Sequence, residues 1–533
     1  MKIMKRCIVL LIAFLFIFSM YNSKNVQANI GTINGKWFPT SEAFTPGDWF
    51  LGEKPFNYDE NRPPIVFVQG RNGSADTWYG ETVYHEMNDM YEYAFRAGYQ
   101  TVFIQLYDAA GKGSATQWKN GQLLAEKLEE IYTYFGKKVN IVAHSKGGID
   151  TQAALVQYGA NRFVGNVIML ASPHYGSNLA DLSYSWWAGW LASLLGQRDE
   201  GTYSLQIGEM AHFRSIIDQN PNSRLNGYYT ATGTSWGPCF SALSIGGLYL
   251  SNYGSNDGLV NEWSTKLPYG IHLFTDSGLN HDNIRKGSAV FSRIEPYLRT
   301  SQVKVPSNFH SVSNEISNNT NPPSNQTILG GALPQHNWVN QPFVVDRKTE
   351  GTVSILTASS EVKIELLSPS GKIYTNKDSV TTIGEEESYF KGASIHTFQL
   401  SKMEEGEWNI KMLSNHQQDA YMMVVNYKQD DAPFTLKIPN KMKAGTAKYQ
   451  LEKSAKAPEI QKDVSVTVRI INKEGTLVSA SNDGKQINDN MVTGLLKNMT
   501  EPGVYNVTFD IKGLNKEGKV YTRTMIQSVY IEK

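Results

Sequence analysis

A serine stands among small residues in Ala143-His144-Ser145-Lys146-Gly147-Gly148, and its flanks describe a strand that turns at once into a helix. Val139 to Val142 is an apolar, β-branched run of the kind buried in a sheet, and Ile149 to Val156 reads as a helix. So sharp a turn admits only small residues two places before and after the serine, and Ala143 and Gly147 fill those places. The turn holds the serine oxygen out at the end of a sheet, where it can act as a nucleophile in acyl transfer. The plainer reading is an N-cap serine opening a helix. The strand and the helix that the motif demands are both present, which favours the chemical reading.

Acyl transfer also needs a base, an acid that orients it, and N–H donors for the developing oxyanion. Around such a turn the acid and the base follow the serine in that order, each on a loop at the end of a strand. His281, in Gly278-Leu279-Asn280-His281-Asp282-Asn283, follows the strand-like Ile271–Phe274 and precedes the last expected helix, so it is the expected base. Asp257, in Asn256-Asp257-Gly258-Leu259-Val260, is the expected acid; an Asn-Asp-Gly turn is ordinary by itself, and chain order decides for it over Asp276 and Asp282. The expected oxyanion donors are the backbone N–H groups of Lys146 and of Arg71, which lies behind Gln69-Gly70. Gln69 and His174, the latter in Ser172-Pro173-His174-Tyr175-Gly176-Ser177, are expected to line the substrate pocket. His144, His272, His85 and His212 are weaker bases, the first pointing away from its neighbour and the others placed in an expected strand or helices. No close ligand pair stands at zinc spacing, so no metal or cofactor is expected, and calcium leaves no legible trace. Leu182 to Leu195 carries Trp186, Trp187 and Trp190 and reads as an apolar lid or acyl-chain wall, with a core helix as the alternative.

These residues need a scaffold, and the chain from about residue 63 supplies one. Ile65–Val68, Thr101–Leu106, Asn166–Leu170, Tyr228–Thr232 and Ile271–Phe274 read as further strands, and 81–97, 123–134 and 282–298 as helices. Strands alternating with helices give a mostly parallel, doubly wound sheet covered on both faces. Residues 301–338, rich in Ser, Asn and Pro, read as a linker. Beyond them, alternating strands and Gly-bearing turns describe two small all-β sandwiches of immunoglobulin-like kind, over 339–432 and 433–533. Gly406-Glu407-Trp408-Asn409-Ile410 and Gly503-Val504-Tyr505-Asn506-Val507 resemble one strand position in two related units.

The ends and the composition bound the setting. Lys2, Lys5 and Arg6 precede the apolar run from Cys7 to Met20, and Val26-Gln27-Ala28 is a small-residue cleavage pattern, so residues 1–28 read as a secretory signal peptide and 29–300 as the first domain. The mature chain is expected to be extracellular, without an integral membrane span. Of two cysteines only Cys239 would remain, so no disulfide framework is available. Fifty Lys and Arg against fifty Asp and Glu give zero formal net charge, which argues against nucleic acid as a partner.

With the elbow, Asn256–Val260, Asn280–Asp282 and Ser172–Ser177 in place, residues 63–298 resemble the secreted bacterial triacylglycerol lipases of the α/β-hydrolase fold whose elbow reads A-x-S-x-G. The resemblance implies an acyl-serine ester hydrolase acting on a lipid, in part at an interface. Two departures stand out. Such lipases carry His-Gly where this chain has Gln69-Gly70, and Lys146 replaces the usual Met or Leu, so a cation at the pocket mouth would favour esters bearing carboxylate or phosphate. A hydrolase joined by a linker to β modules also resembles extracellular polyester depolymerases, whose modules hold insoluble polymer; the sandwiches here would then bind a surface or act as spacers. A non-catalytic surface adhesin is the reading from another class, and the complete set of Ser145, Asp257 and His281 argues against it.

Overall fold

The computed structural model describes residues 44–108, 114–303, 325–385, 388–428, 434–445, 447–453, 464–482, 485–488, 491–514 and 518–533. The signal-peptide reading and most of the 301–338 linker therefore lie outside the described residues.

The first unit is built on a seven-stranded sheet: β1 (Trp49–Leu51), β2 (Ile65–Val68), β3 (Thr101–Ile104), β4 (Val139–His144), β5 (Val164–Leu170), β6 (Gly227–Gly233) and β7 (Ile271–Asp276), in spatial order β1-β3-β2-β4-β5-β6-β7. All neighbours are parallel except β1, which pairs antiparallel with β3. β2 to β6 are buried along their whole length because helices cover both faces, which is why they read as continuous apolar runs. One face packs on α2 (Gln117–Phe135) through Leu124, Leu128 and Ile131. The other packs on α1 (Met90–Arg96) and on a helix at Gly287–Ile294 through Met90, Tyr91, Ala94, Val290 and Ile294. This is the α/β-hydrolase sheet.

The helix expected over 81–97 is shorter, covering only Met90–Arg96. The Asp282 carboxylate accepts the N–H groups of Val83 and Tyr84 at 3.1 and 2.9 Å, and Glu86 takes φ 63°, so tertiary hydrogen bonds hold 81–88 as a loop. Between β4 and β6 lie the elbow helix α3 (Lys146–Gln152), then α4 (Asn178–Ser183), α5 (Gly189–Leu194), α6 (Glu200–Ser204) and α7 (Ile207–Ile217); α8 (Ala242–Leu250) and α9, the Gly287–Ile294 helix, follow. No helix among the described residues is long and apolar enough to cross a membrane.

Two β-sandwiches follow, antiparallel throughout except for the short edge strand Lys441–Lys443, which pairs in parallel with Val520–Glu532. In the first, a five-stranded sheet faces a four-stranded one across a core of Phe343, Val353, Ile364, Phe398, Trp408 and Met423. Its first strand, β8 (Gln326–Ala332), falls inside the stretch read as linker; it pairs on the strand Ala420–Lys428, and its Gly-Gly-Ala end hid it from a pattern search. In the second, four- and five-stranded sheets enclose Leu451, Val468, Val507, Phe509 and Val529. The two look-alike segments, Gly406–Leu413 and Gly503–Leu514, are both central strands that open on a glycine in positive φ.

The sandwiches pack on the hydrolase unit. Leu179, Leu182, Ala242 and Tyr249 share one apolar cluster with Ile328, Leu356, Met422, Val424 and Ile526. Polar contacts stitch the same face: Asn506 Nδ2 donates to the main-chain O of Asp181 at 2.7 Å, and the Asp181 carboxylate accepts N–H groups from Ile207 (3.1 Å) and Ser528 (2.9 Å). Burial pushes the Asp181 pKa up to about 7, its hydrogen bonds to Ser528 and Ile207 notwithstanding. A carboxyl group raised on folding favours the folded state below its unfolded pKa, and that advantage disappears as pH climbs through the folded value. Urea unfolding of wild type and Asp181→Asn at pH 5 and pH 8 should therefore show wild type losing ground to the variant at the higher pH, by roughly 1–3 kcal/mol. An unchanged difference would contradict this account.

Candidate active site

The turn after β4 puts Ser145 in a backbone conformation, φ 52° and ψ −129°, that side-chain-bearing residues rarely adopt. The surroundings enforce it. Ser145 N donates to Leu170 O at 2.9 Å, tying the turn to β5. A Cβ on Gly147 would collide with the main-chain O of Gln69, and one on Gly148 with Ser172 Oγ. Neither position therefore admits another residue without moving the neighbouring backbone or loop.

Across the end of the sheet, His281 Nε2 lies 3.0 Å from Ser145 Oγ, and His281 Nδ1 lies 2.7 Å from Asp257 Oδ2. Asp257 is fixed in turn. Its Oδ1 accepts the N–H groups of Leu259 (3.0 Å) and Val260 (2.8 Å), its main-chain O accepts His281 N at 3.0 Å, and Asn256 Oδ1 accepts Gly258 N. Ser145, His281 and Asp257 thus stand in one hydrogen-bonded line, buried almost completely. The two other acids considered from sequence are engaged elsewhere: Asp276 with Arg293 and Gly278 N, Asp282 with Arg285 and the 83–84 loop.

His144 supports the line from behind. Its Nε2–H donates to the main-chain O of His281 at 2.9 Å, and the two rings lie 4.8 Å apart. Burial, then the neighbouring His281 and Arg285, hold its pKa well below the usual imidazole range, so it stays neutral there. From sequence it is only a weaker base, since a histidine beside a serine carries no local signal for this supporting role.

A small cavity adjoins Ser145 and His281, and Arg71, Leu205, Leu259, Val260 and Tyr389 complete its lining. Arg71 lies on the loop after β2, and Lys146 is the first residue of α3, each beside the serine in the fold. Tyr389 comes from the first sandwich. The Arg71 guanidinium donates to Ser388 O at 2.8 Å and to Thr202 Oγ1 at 3.3 Å, and stacks 4.7 Å from the Tyr389 ring centroid. A larger, mostly apolar cavity between α4, α8 and the sandwich shares Leu259 and Tyr389 with it.

Several expected pocket residues stand elsewhere. The Lys146 ammonium is not at the pocket mouth; it is fully buried between Asp108 and Asp150, so the cation beside the serine is Arg71. With its amide oriented by its neighbours, Gln69 donates to Ile104 O at 2.7 Å and accepts Leu106 N at 2.8 Å, so it ties β2 to the end of β3. His174 is sealed in the interior, outside the lining of the cavity, and burial and then Arg214 keep it neutral. None of the three tryptophans lines the cavity: the main-chain N of Trp186 meets Thr508 Oγ1, Trp187 Nε1 donates to Asp510 at 3.0 Å on the second sandwich, and Trp190 is 55 % exposed. Trp187 thus serves a contact between units and not the cavity. Among the described residues, no group of three or more His, Cys, Asp or Glu side chains is placed to hold a metal ion.

No protein-family model and no curated protein sequence matches the chain. Among solved structures it is similar to the Bacillus licheniformis lipase BlEst2 in propeptide form, with 32% identity and a TM-score of 0.74 over 91% of this chain and 98% of that one. The mature form of the same lipase aligns with 45% identity over 48% of this chain and 100% of that one, with a TM-score of 0.44.

The elbow geometry carries its own test. Gly147→Ala drives a methyl into the Gln69 carbonyl and should cost the fold roughly 1–3 kcal/mol, read as a lowered urea midpoint; wild-type stability would show that the turn has slack.

Proposed function

For a chain that belongs to the α/β-hydrolase lipase family of Bacillus licheniformis BlEst2, we propose a secreted carboxylic-ester hydrolase that cleaves acylglycerols through an acyl-serine intermediate. The observation that carries this reading is the hydrogen-bonded line from Ser145 through His281 to Asp257. In the first step Ser145 Oγ attacks the ester carbonyl while His281 Nε2 takes its proton. Asp257 holds the Nδ1–H tautomer and stabilises the imidazolium without itself becoming protonated. The backbone N–H groups of Lys146 and Arg71 take the negative charge of the tetrahedral intermediate. His281 then protonates the departing alcohol. A water molecule, deprotonated by the same imidazole, releases the acid and restores Ser145.

The similar lipase is a propeptide form, which bears on the C-terminal half of this chain. We propose that the sandwiches are a pro-region that closes the site, in place of a polymer-binding or spacer role. Ser388 and Tyr389 are held against Arg71, Tyr389 forms a wall of the catalytic cavity, and Ser145 is 8 % exposed. Substrate reaches Ser145 when the 388–390 segment withdraws, and the apolar surface of α4 and α8 then lies open beside the serine.

Hydrolysis of p-nitrophenyl esters from acetate to palmitate, emulsified triglyceride and polyhydroxybutyrate granules tests both proposals. Ser145→Ala should abolish turnover, and Asp257→Asn should lower kcat by about 10³- to 10⁴-fold. Preference for long acyl chains identifies a lipase, and release from granules would shift the assignment to a polyester depolymerase. Full activity in Ser145→Ala would remove the acyl-serine reading. Tyr389→Ala in the full chain should raise turnover of short esters, by about tenfold for each 1.4 kcal/mol of closing energy lost. No increase, with the fold intact, would remove the pro-region reading.

A further inference from the structure

Beneath the elbow lies a group of charges that the acyl-serine steps do not use. Lys146 Nζ is 3.0 Å from Asp108 Oδ2 and 2.9 and 3.0 Å from the two carboxylate oxygens of Asp150. Asn120 Nδ2 donates to Asp150 Oδ2 at 2.9 Å and also to Asp108. All four side chains are sealed from solvent. They come from three elements: Asp108 from the loop after β3, Asn120 from α2, and Lys146 with Asp150 from α3.

Such a cluster is a poor way to stabilise a fold. Withdrawing each ion from water costs several kcal/mol, and well-packed apolar side chains in its place are often neutral or better. The count makes it worse, because two carboxylates share one ammonium. Its position gives it a use. Lys146 is the residue after the nucleophile, and its N–H opens the elbow helix, where backbone donors lack an intrahelical acceptor. Drawing Nζ onto Asp150 one turn along the helix, and across to Asp108, fixes the Lys146 backbone from its far end. Ser145 alone would leave this peptide hinged on a strained residue.

We infer that the side chain of Lys146, clamped between Asp108 and Asp150, is a positioning element that holds the Lys146 N–H in the oxyanion hole. The inference rests on the acyl-serine reading above. Because the N–H meets negative charge only as the tetrahedral intermediate forms, the effect falls on kcat and leaves KM nearly unchanged.

The clamp also carries a charge signature. Burial drives the Asp150 pKa up to about 7, Lys146 opposes this and Asp108 reinforces it. Burial raises Asp108 as well, and Asp199 beyond it adds negative field. For Lys146, burial opposes the charged form and the two carboxylates more than offset it. With a proton on Asp150 the cluster is neutral, and without it a net negative charge sits one residue from the developing oxyanion. The kcat profile should therefore decline on the alkaline side of neutrality.

The test measures kcat and KM from pH 5.5 to 9 on the purified full chain. The proteins are wild type, Asp150→Asn, Ser145→Ala, and a triple variant carrying Lys146→Met, Asp108→Asn and Asp150→Asn. Lys146→Met alone would strand two buried carboxylates, whereas the triple variant leaves amides that can pair; thermal melting confirms its fold. The triple variant should lose about 10- to 100-fold in kcat with KM within about twofold. Asp150→Asn, which stands in for the protonated carboxyl, should lack the alkaline decline. A folded triple variant with wild-type kcat, or an Asp150→Asn profile superimposable on the wild-type one, overturns the inference while the Ser145 reading stands. Activity in Ser145→Ala would instead bring down the reading beneath it.

Discussion

The backbone at Ser145 is the constraint on which the rest of the hydrolase unit depends. A side-chain-bearing residue held at φ 52° is a strained one, costing on the order of 1–3 kcal/mol, and persists only where its surroundings leave it no alternative. Here the sheet fixes the chain on the upstream side through the buried β4 and the Ser145–Leu170 hydrogen bond. Downstream, Gly147 and Gly148 let the helix lie directly against the ends of β2 and the 172 loop, closer than any Cβ would permit. The same approach that requires glycine also brings Gly70 and Arg71 beside the serine. Strain, glycine spacing and the gathering of the site are therefore one arrangement seen from three sides.

Much of that arrangement is legible in sequence because it is local. An apolar strand, a small–x–Ser–x–small turn and a helix are contiguous, and chain order alone proposes Asp257 and His281, which stand within hydrogen-bond distance in the fold. What escapes a sequence reading is whatever depends on a partner far along the chain. The 81–88 segment has helical periodicity, and Asp282, about 200 residues later, takes its N–H groups. β1 is three residues long and exists by pairing antiparallel with β3. Trp187 does signal a covered face, but its covering is the second sandwich, through Asp510 and Arg469. Nothing in the sequence marks Tyr389, which lies 244 positions beyond the serine and reaches the cavity only through sandwich packing.

Lys146 is the instructive misreading. From its place in the elbow, a lysine reads as a surface cation available to substrate, since lysine is almost never fully buried unless it is paired. The pairing is supplied by Asp150, one turn along the same helix, and by Asp108 from a loop nearly forty residues earlier. An i, i+4 Lys–Asp pair is visible in the sequence and ordinarily means a solvated helix face. Only the burial of α3 beneath α2 and the sheet converts it into an interior clamp. The cation that does face the serine, Arg71, holds a main-chain carbonyl and an aromatic ring of the sandwich.

That choice of partner bears on how the units part. The polar part gathers at one guanidinium beside the serine, which donates to Ser388 O and stacks on Tyr389. The apolar part of the contact is different in kind. Leu179, Leu182, Ala242 and Tyr249 are buried against Ile328, Met422, Val424 and Ile526, and parting the units would bare that surface at once. A contiguous apolar patch on a soluble protein seeks a partner, commonly another protein, a membrane or a lipid. For an enzyme whose proposed substrate gathers in apolar aggregates, the surface that makes the closed form stable is also the one that would seat the opened form on its substrate. On the pro-region proposal, closure by apolar burial would keep the binding face intact beneath the cover.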